Sequence, residues 1–167
     1  MAVAAGTTSK ADPLTLIQLC VDYRTLLGKR DDLGMALATS DGARLVELES
    51  FFVRNARERA APSISRRDQQ RRPLKLAAQV RASDGDFYDA LLADISGTGA
   101  FIETPTPLPT GARTVLRVIE PLSGREWRIA AEVAWAQPDK GMGLRFVGIP
   151  LVLRVGLHRS RPALSAA

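Results

Sequence analysis

Residues 74–104 read LKLAAQVRASDGDFYDALLADISGTGAFIET. Over residues 74–80, apolar side chains alternate with polar or small ones, and this period of two predicts a half-buried β-strand. The SDGD at residues 83–86 is a turn signal, and residues 87–95 then predict a second strand. Residues 100–104 predict a short third strand. This hairpin with its added strand indicates that the second half of the chain is mainly β.

Three more strands follow the first three, with no helical pattern between them. They are predicted at residues 114–120, 126–137 and 142–147. Six strands at such short spacing are typical of an antiparallel sandwich or a small barrel. In the longest strand, alternate residues are predicted to share one buried face: Trp127, Ile129, Ala131, Val133 and Trp135.

The N-terminal part of the chain carries a helical pattern instead. Asp12-Pro13 predicts a helix start, because Asp caps helices and Pro favours the first helical position. A glycine, Gly28 or Gly34, is predicted to end this helix. Ser40 or Asp41 is predicted to cap a second helix, so the two form a helical hairpin.

Two helices of this length rarely bury enough apolar surface alone, so their apolar stripes need a partner. The sequence leaves two partners open, namely the β domain of the same chain and a second copy of the hairpin. We expect residues 1–62 to form a helical hairpin, which mediates a homodimer if its partner is a second copy. We expect residues 63–150 to form the β-barrel, and residues 151–167 a short helix or tail.

Positive charge is concentrated just before the first strand. The chain has a net charge of +5, yet residues 54–81 alone hold nine Lys/Arg and two Asp/Glu. Within this segment, residues 65–74 read SRRDQQRRPL. A local basic segment indicates a local anionic partner. Nucleic acid is one such partner, but aromatic residues make up only 5% of the chain and none interleaves with these arginines, so a stacking platform is missing.

The turn after the second strand, DISGTG at residues 94–99, supplies a carboxylate, a hydroxyl and two glycines. Asp94 can accept hydrogen bonds from the N1–H and N2–H₂ groups of guanine, and the glycines allow a ligand to approach the backbone. Arginine pairs with the opposite guanine edge and also stacks on the base. The arginine segment and this turn together predict a site for a guanine nucleotide.

These two motifs resemble those of the PilZ family over about residues 64–150, and the GMGLRFV at residues 141–147 resembles that family's closing strand. The resemblance implies a six-stranded antiparallel β-barrel that binds cyclic di-GMP, a bacterial second messenger. It implies that Arg67 and Arg71 hold guanine and phosphate. It further implies that Asp94 and Ser96 contact guanine. Gly99 would let the ligand approach.

Arg66 stands directly before this motif and adds a third positive charge. Since two intercalated copies of the ligand bring more negative charge than two arginines neutralise, we expect Arg66 to support a second bound copy. Ligand binding is predicted to fold the arginine segment onto the barrel and to reorient the helices, which changes contact with an unidentified downstream protein. A ligand-free interaction adaptor and a basic nucleic-acid-binding module are the alternative interpretations.

The sequence gives little support to an enzyme or a metalloprotein. His158 is the only histidine and Cys20 the only cysteine, so neither a catalytic centre nor a structural zinc cluster is predicted. No phosphate-binding or dinucleotide-binding glycine motif is present, and no cofactor is indicated. The N-terminus lacks a signal-peptide pattern and no apolar run reaches about 20 residues, which predicts a cytoplasmic protein without a membrane span.

Overall fold

The computed structural model describes residues 12–58 and 72–154, with the side chains of the first range described up to residue 53. The arginines at positions 66, 67 and 71 therefore lie outside the described residues, as does the predicted boundary between residues 62 and 63. The described elements are α1 (Pro13–Asp31), α2 (Thr39–Glu58), β1 (Arg72–Arg81), β2 (Phe87–Ile95), β3 (Gly99–Glu103), β4 (Arg113–Ile119), β5 (Arg125–Gln137), β6 (Gly141–Phe146) and β7 (Leu151–Arg154).

Helix α1 begins where the sequence predicts. The Asp12 carboxylate accepts hydrogen bonds from the backbone N–H of Leu14 and of Thr15, at 3.1 and 3.3 Å, and so satisfies two amides that no helical carbonyl reaches. The helix runs past Gly28 and ends at Asp31, and Gly34 has a φ of 61° in the loop that follows. The hairpin prediction is confirmed.

Six antiparallel strands close into a barrel, which confirms the predicted fold class. The strands are ordered β1–β2–β3–β6–β5–β4, and the pairing of β4 with β1 closes the barrel. Strand β5 has 13 residues and β6 covers only its second half, so the edge of its first half stays open. Leu151–Arg154 pairs there as β7, and the predicted short helix or tail is therefore wrong over residues 151–154.

A bulge in β5 corrects the prediction for its buried face. Val133 pairs with Leu144 of β6, but Trp135 pairs with Gly143, so the register shifts by one residue between them. Because such a shift moves the next side chain to the opposite face, Trp135 leaves the core and is 39% exposed. The other four residues of the predicted face are buried as expected: Trp127, Ile129, Ala131 and Val133.

The helices and the barrel share one hydrophobic core. Ile17 and Cys20 of α1 and Phe52 of α2 are fully buried in the same cluster as the barrel interior. Burial of each such large apolar side chain contributes about 1.5–3 kcal/mol. The Trp127 indole N–H also donates to Gln18 Oε1 of α1 at 3.2 Å. The barrel of the same chain therefore covers the apolar stripes, and the predicted homodimer gains no support from them.

Candidate functional site

A bulge in β2 places the Asp94 side chain on the outside of the barrel. Asp94 pairs with Pro73 of β1 and with Phe101 of β3, and both registers shift by one residue between this position and Leu92. In a regular strand Leu92 and Asp94 would point the same way, into the core. The bulge instead buries Ile95 together with Leu92 and leaves Asp94 partly exposed.

The pairing of β1 with β2 brings two distant parts of the sequence together. Arg72 lies opposite Ile95, and Pro73 lies opposite Asp94. The arginine-rich segment ends at these residues, so the covalent chain delivers its end beside the turn at residues 94–99. The positions of the three predicted arginines, Arg66, Arg67 and Arg71, remain a prediction because they lie outside the described residues.

Ser96 closes the turn that it belongs to. Its hydroxyl oxygen accepts hydrogen bonds from the backbone N–H of Thr98 at 3.3 Å and of Gly99 at 3.1 Å. The Ser96 N–H donates to the Gly99 carbonyl at 2.8 Å, and the residue is only 5% exposed. In this structure the Ser96 side chain therefore fixes the backbone of the turn.

Gly99 is required by the neighbouring strand. A Cβ atom at this position would lie 2.2 Å from the carbonyl oxygen of Leu144 in β6, which is far inside van der Waals contact. Gly97 and Gly99 are not among the glycines with a positive φ in the described chain. The three predicted residues thus meet in one turn, where Ser96 and Gly99 have structural roles and Asp94 is a partly exposed carboxylate on the outer face.

An aromatic pair that sequence reasoning missed lies beside Asp94. The rings of Phe101 and Trp135 stack with centroids 5.4 Å apart and an interplanar angle of 16°. Trp135 covers Gly143, where a Cβ would lie 2.2 Å from the indole nitrogen. Cross-strand pairing therefore forms one outward row across five strands: Pro73, Asp94, Phe101, Gly143 and Trp135.

Two clefts lie along this surface. One, of about 680 Å³, lies between the start of α1 and the first two strands and is lined in part by Pro73 and Ala93. The other, of about 560 Å³, is lined in part by Phe101 and Pro105. Glu103 lines both clefts, so a continuous surface leads from the end of the arginine-rich segment to the aromatic pair.

Both helices contact the strands that carry the motifs. The Cys20 thiol of α1 donates to the Ser96 carbonyl at 3.4 Å, and burial raises the pKa of Cys20 to about 12 against a smaller opposing effect of Arg24. On the other strand, Arg72 Nη2 donates to the Phe51 carbonyl of α2 at 3.0 Å. The Arg72 guanidinium also lies 3.8 Å above the Phe51 ring, and burial lowers the pKa of Arg72.

Metal ligands and membrane spans are not found in the described parts of the chain. Residues 12–58 and 72–154 contain no group of three or more His, Cys, Asp or Glu side chains that could hold a metal ion. Neither described helix is long and apolar enough to cross a membrane.

Comparison with known proteins gives the family of the chain. A model of the PilZ domain matches residues 65–160. The solved PilZ domain of CeSA from a cellulose synthesizing bacterium is 22% identical over 47% of this chain and 81% of its own, with a TM-score of 0.38. The Bacillus subtilis inhibitor of motility (MotI/DgrA) is 22% identical over 52% of this chain and 44% of its own, with a TM-score of 0.41. No curated protein matches the chain.

The family model spans more than half of the chain and contains the whole described barrel. Its first matched residue, Ser65, also places the arginine-rich segment inside the matched region. PilZ domains typically have no catalytic activity. The chain therefore belongs to the PilZ domain family, with two helices before the domain.

Proposed function

We propose that this protein is a receptor for cyclic di-GMP. PilZ domains commonly bind this ligand. The observation that carries the proposal is the pairing of Pro73 with Asp94, because it brings the end of the arginine-rich segment beside a partly exposed carboxylate. A ligand with anionic phosphates and guanine edges needs both kinds of group.

The proposed contacts follow from the chemistry of each side chain. Arg67 and Arg71 bind phosphate and the O6/N7 edge of guanine, where a planar guanidinium forms two hydrogen bonds. Asp94 accepts from the N1–H and N2–H₂ groups of the same base. Ser96 and Gly99 act mainly by fixing the turn that carries Asp94, since the Ser96 hydroxyl and the space at Gly99 are already used within the fold.

The helical hairpin is the proposed output element. The Cys20–Ser96 and Arg72–Phe51 hydrogen bonds join α1 and α2 to the two strands of the site. A ligand that draws the arginine segment toward Asp94 competes with the contact between Arg72 and Phe51. Binding therefore reorients the helices and changes the surface offered to a downstream protein.

Titration calorimetry with cyclic di-GMP tests the receptor proposal directly. We expect binding that persists at moderate salt, because base contacts and buried hydrogen bonds are screened less than surface charges. A nucleic-acid-binding module would instead bind DNA or RNA with an affinity that falls steeply with salt. An interaction adaptor would give no heat with any cyclic dinucleotide, which would refute the proposal.

Trp135 offers an independent optical readout of the same event. It lies in the outward row with Asp94, whereas the second tryptophan, Trp127, is buried and 2% exposed. We expect cyclic di-GMP to change the fluorescence of a Trp127→Phe variant. A Trp135→Phe variant is the matched control, in which the change should be largely lost.

The buried Cys20 thiol reports on the hairpin. With its pKa raised to about 12 and its sulfur fully covered, it should react slowly with thiol reagents at neutral pH. Ligand should accelerate this labelling if the helices move. Equal rates of Cys20 labelling with and without bound ligand would contradict the proposed movement of the helices and leave the receptor proposal intact.

A homodimer through the helices is proposed separately. On the hairpin, the large apolar side chains that stay exposed are Leu33 (60%), Met35 (51%) and Val46 (63%). Light scattering of the full chain should give the mass of two copies, and Val46→Glu should give that of one. A single-copy mass for the unmodified protein would contradict the dimer.

A further inference from the structure

Glu103 differs from three other acidic side chains on the barrel strands, each of which has a partner within the fold. Asp89 accepts from Gln79, Glu132 pairs with Arg145, and Glu126 pairs with two arginines. Within the described residues, no hydrogen bond or ion pair involves the Glu103 side chain. It is exposed at the junction of the two clefts beside the candidate site.

The surroundings of Glu103 suit a flat, partly apolar group. The cleft of about 560 Å³ has Phe101, Leu91 and Pro105 in its lining, and this volume is within the range of small-molecule sites. Trp135 stacks on Phe101 and holds that ring in place. Aromatic rings bind nucleobases by stacking with little preference for sequence.

Two carboxylates flank this aromatic ring on the same outer face. Asp94 pairs directly with Phe101, and Glu103 lies two residues further along β3, about 7 Å away at the rise of a β-strand. A carboxylate only accepts hydrogen bonds, so it matches the N1–H and N2–H₂ donors of guanine. Adenine presents an acceptor at N1, which a carboxylate repels.

We propose that Glu103, with Phe101 as a stacking surface, binds the Watson–Crick edge of the second guanine of a cyclic dinucleotide. The inference rests on the proposed function, in which Asp94 takes the first guanine. Two acceptor groups beside one aromatic ring thereby match a ligand with two guanine bases. Glu103 is then the residue that distinguishes a second guanine from adenine.

Two ligands that differ in one base distinguish recognition of the second guanine by Glu103 from an effect of the substitution on all ligands. Wild-type protein is titrated with cyclic di-GMP and with the mixed cyclic GMP–AMP of the same linkage. We expect cyclic di-GMP to bind about tenfold more tightly, the effect of a charge-assisted hydrogen bond. In Glu103→Gln, the affinity for cyclic di-GMP should fall by about tenfold while the affinity for the mixed ligand changes little. The preference for the second guanine then disappears.

Two further variants serve as controls. Glu47→Gln removes the same charge from the exposed face of α2 and should leave both affinities unchanged. Phe101→Leu should lower the affinity for both ligands alike, because guanine and adenine both stack on an aromatic ring.

The possible outcomes separate the two proposals. If Glu103→Gln leaves the affinity for cyclic di-GMP unchanged, or lowers the affinity for both ligands equally, this inference is overturned and the receptor proposal stands. Wild-type protein that binds neither ligand would overturn both.

Discussion

Two glutamates on the outer face of the barrel have opposite surroundings. Glu126 of β5 is 1% exposed and forms ion pairs with Arg117 and Arg128. Burial alone would raise the pKa of Glu126, but hydrogen bonds from the two arginines outweigh it and lower the pKa. Glu103 of β3 is exposed, has no partner among the described side chains, and lies beside an aromatic ring.

The difference separates charges that hold the fold from charges left for a ligand. Arg117 also donates to Gln79 and lies 5.1 Å from the Phe87 ring, so the region around Glu126 is satisfied within the chain. At the other region, the strands bring acidic and aromatic side chains together without pairing Glu103. A satisfied network stabilises the fold, and an unpartnered carboxylate in a cleft is a candidate for binding.

The largest effect is expected where the satisfied network is broken. Glu126→Ala leaves two arginines without their shared carboxylate and should lower the free energy of unfolding by about 2–3 kcal/mol, less than for a fully buried pair because both arginines are partly exposed. Urea unfolding at neutral pH measures this loss, and ligand affinity should not change.

The ion pairs of Glu126 with Arg117 and Arg128 also predict a pH dependence of stability. Because the folded-state pKa of Glu126 is lowered, its contribution is complete above its ordinary value of 4.5 and is lost as pH falls through the folded pKa. The stability difference between wild type and Glu126→Ala should therefore shrink in acid. A difference that stays constant with pH would show that lost packing, and not the ion pairs, explains the effect.

Asp94→Ala should affect binding and leave the fold intact. Loss of a charge-assisted hydrogen bond costs about 1.5–3 kcal/mol, which is about tenfold to a hundredfold in cyclic di-GMP affinity. Arg71→Ala should weaken binding by a similar factor. Calorimetry measures affinity and thermal unfolding measures stability.

Asp89→Ala, which removes another acidic side chain from the same strand, is the matched control for Asp94→Ala. Its carboxylate accepts a hydrogen bond from Gln79 at 2.9 Å, away from the candidate site, so its ligand affinity should match that of wild type. Wild-type affinity in Asp94→Ala itself would contradict the assignment of the site.

Ser96→Ala should affect both stability and binding, unlike Glu126→Ala, which affects stability, and Asp94→Ala, which affects binding. It removes the acceptor for the amides of Thr98 and Gly99 in a nearly buried turn, so stability should fall by about 1–2 kcal/mol. Ligand affinity should fall less than in Asp94→Ala. Ser123→Ala, in an exposed turn, is the control and should lose less stability. Unchanged stability in Ser96→Ala would indicate that the hydroxyl serves the ligand.

Arg66→Leu should have the smallest effect on the first binding event. Because the extra charge and planar surface matter most for an outer ligand copy, we expect two ligands per chain in wild type and a shift toward one in this variant. Arg113→Leu, at an exposed position on β4, is the control. One ligand per wild-type chain in calorimetry would remove this role for Arg66.

Local patterns in the sequence were sufficient to predict the secondary-structure elements and to identify the two motifs. The Asp12-Pro13 pair predicts the start of α1 because capping involves only neighbouring residues. Alternation and the turn signals between segments predict the six barrel strands, since both depend on residues that are close in the sequence. The arginine segment and the turn at residues 94–99 are likewise read from residue type and spacing, and residues 65–160 match the PilZ family.

Tertiary structure decided which way the important side chains face and what they touch. The bulges in β2 and β5 turn Asp94 and Trp135 outward, and a bulge depends on the register of two strands that meet only in the fold. The barrel, and not a second hairpin, covers α1 because their apolar surfaces are complementary over long sequence separation. Strand pairing likewise places Glu103 beside Phe101 without an ion pair to any described residue, and no local sequence pattern specifies this.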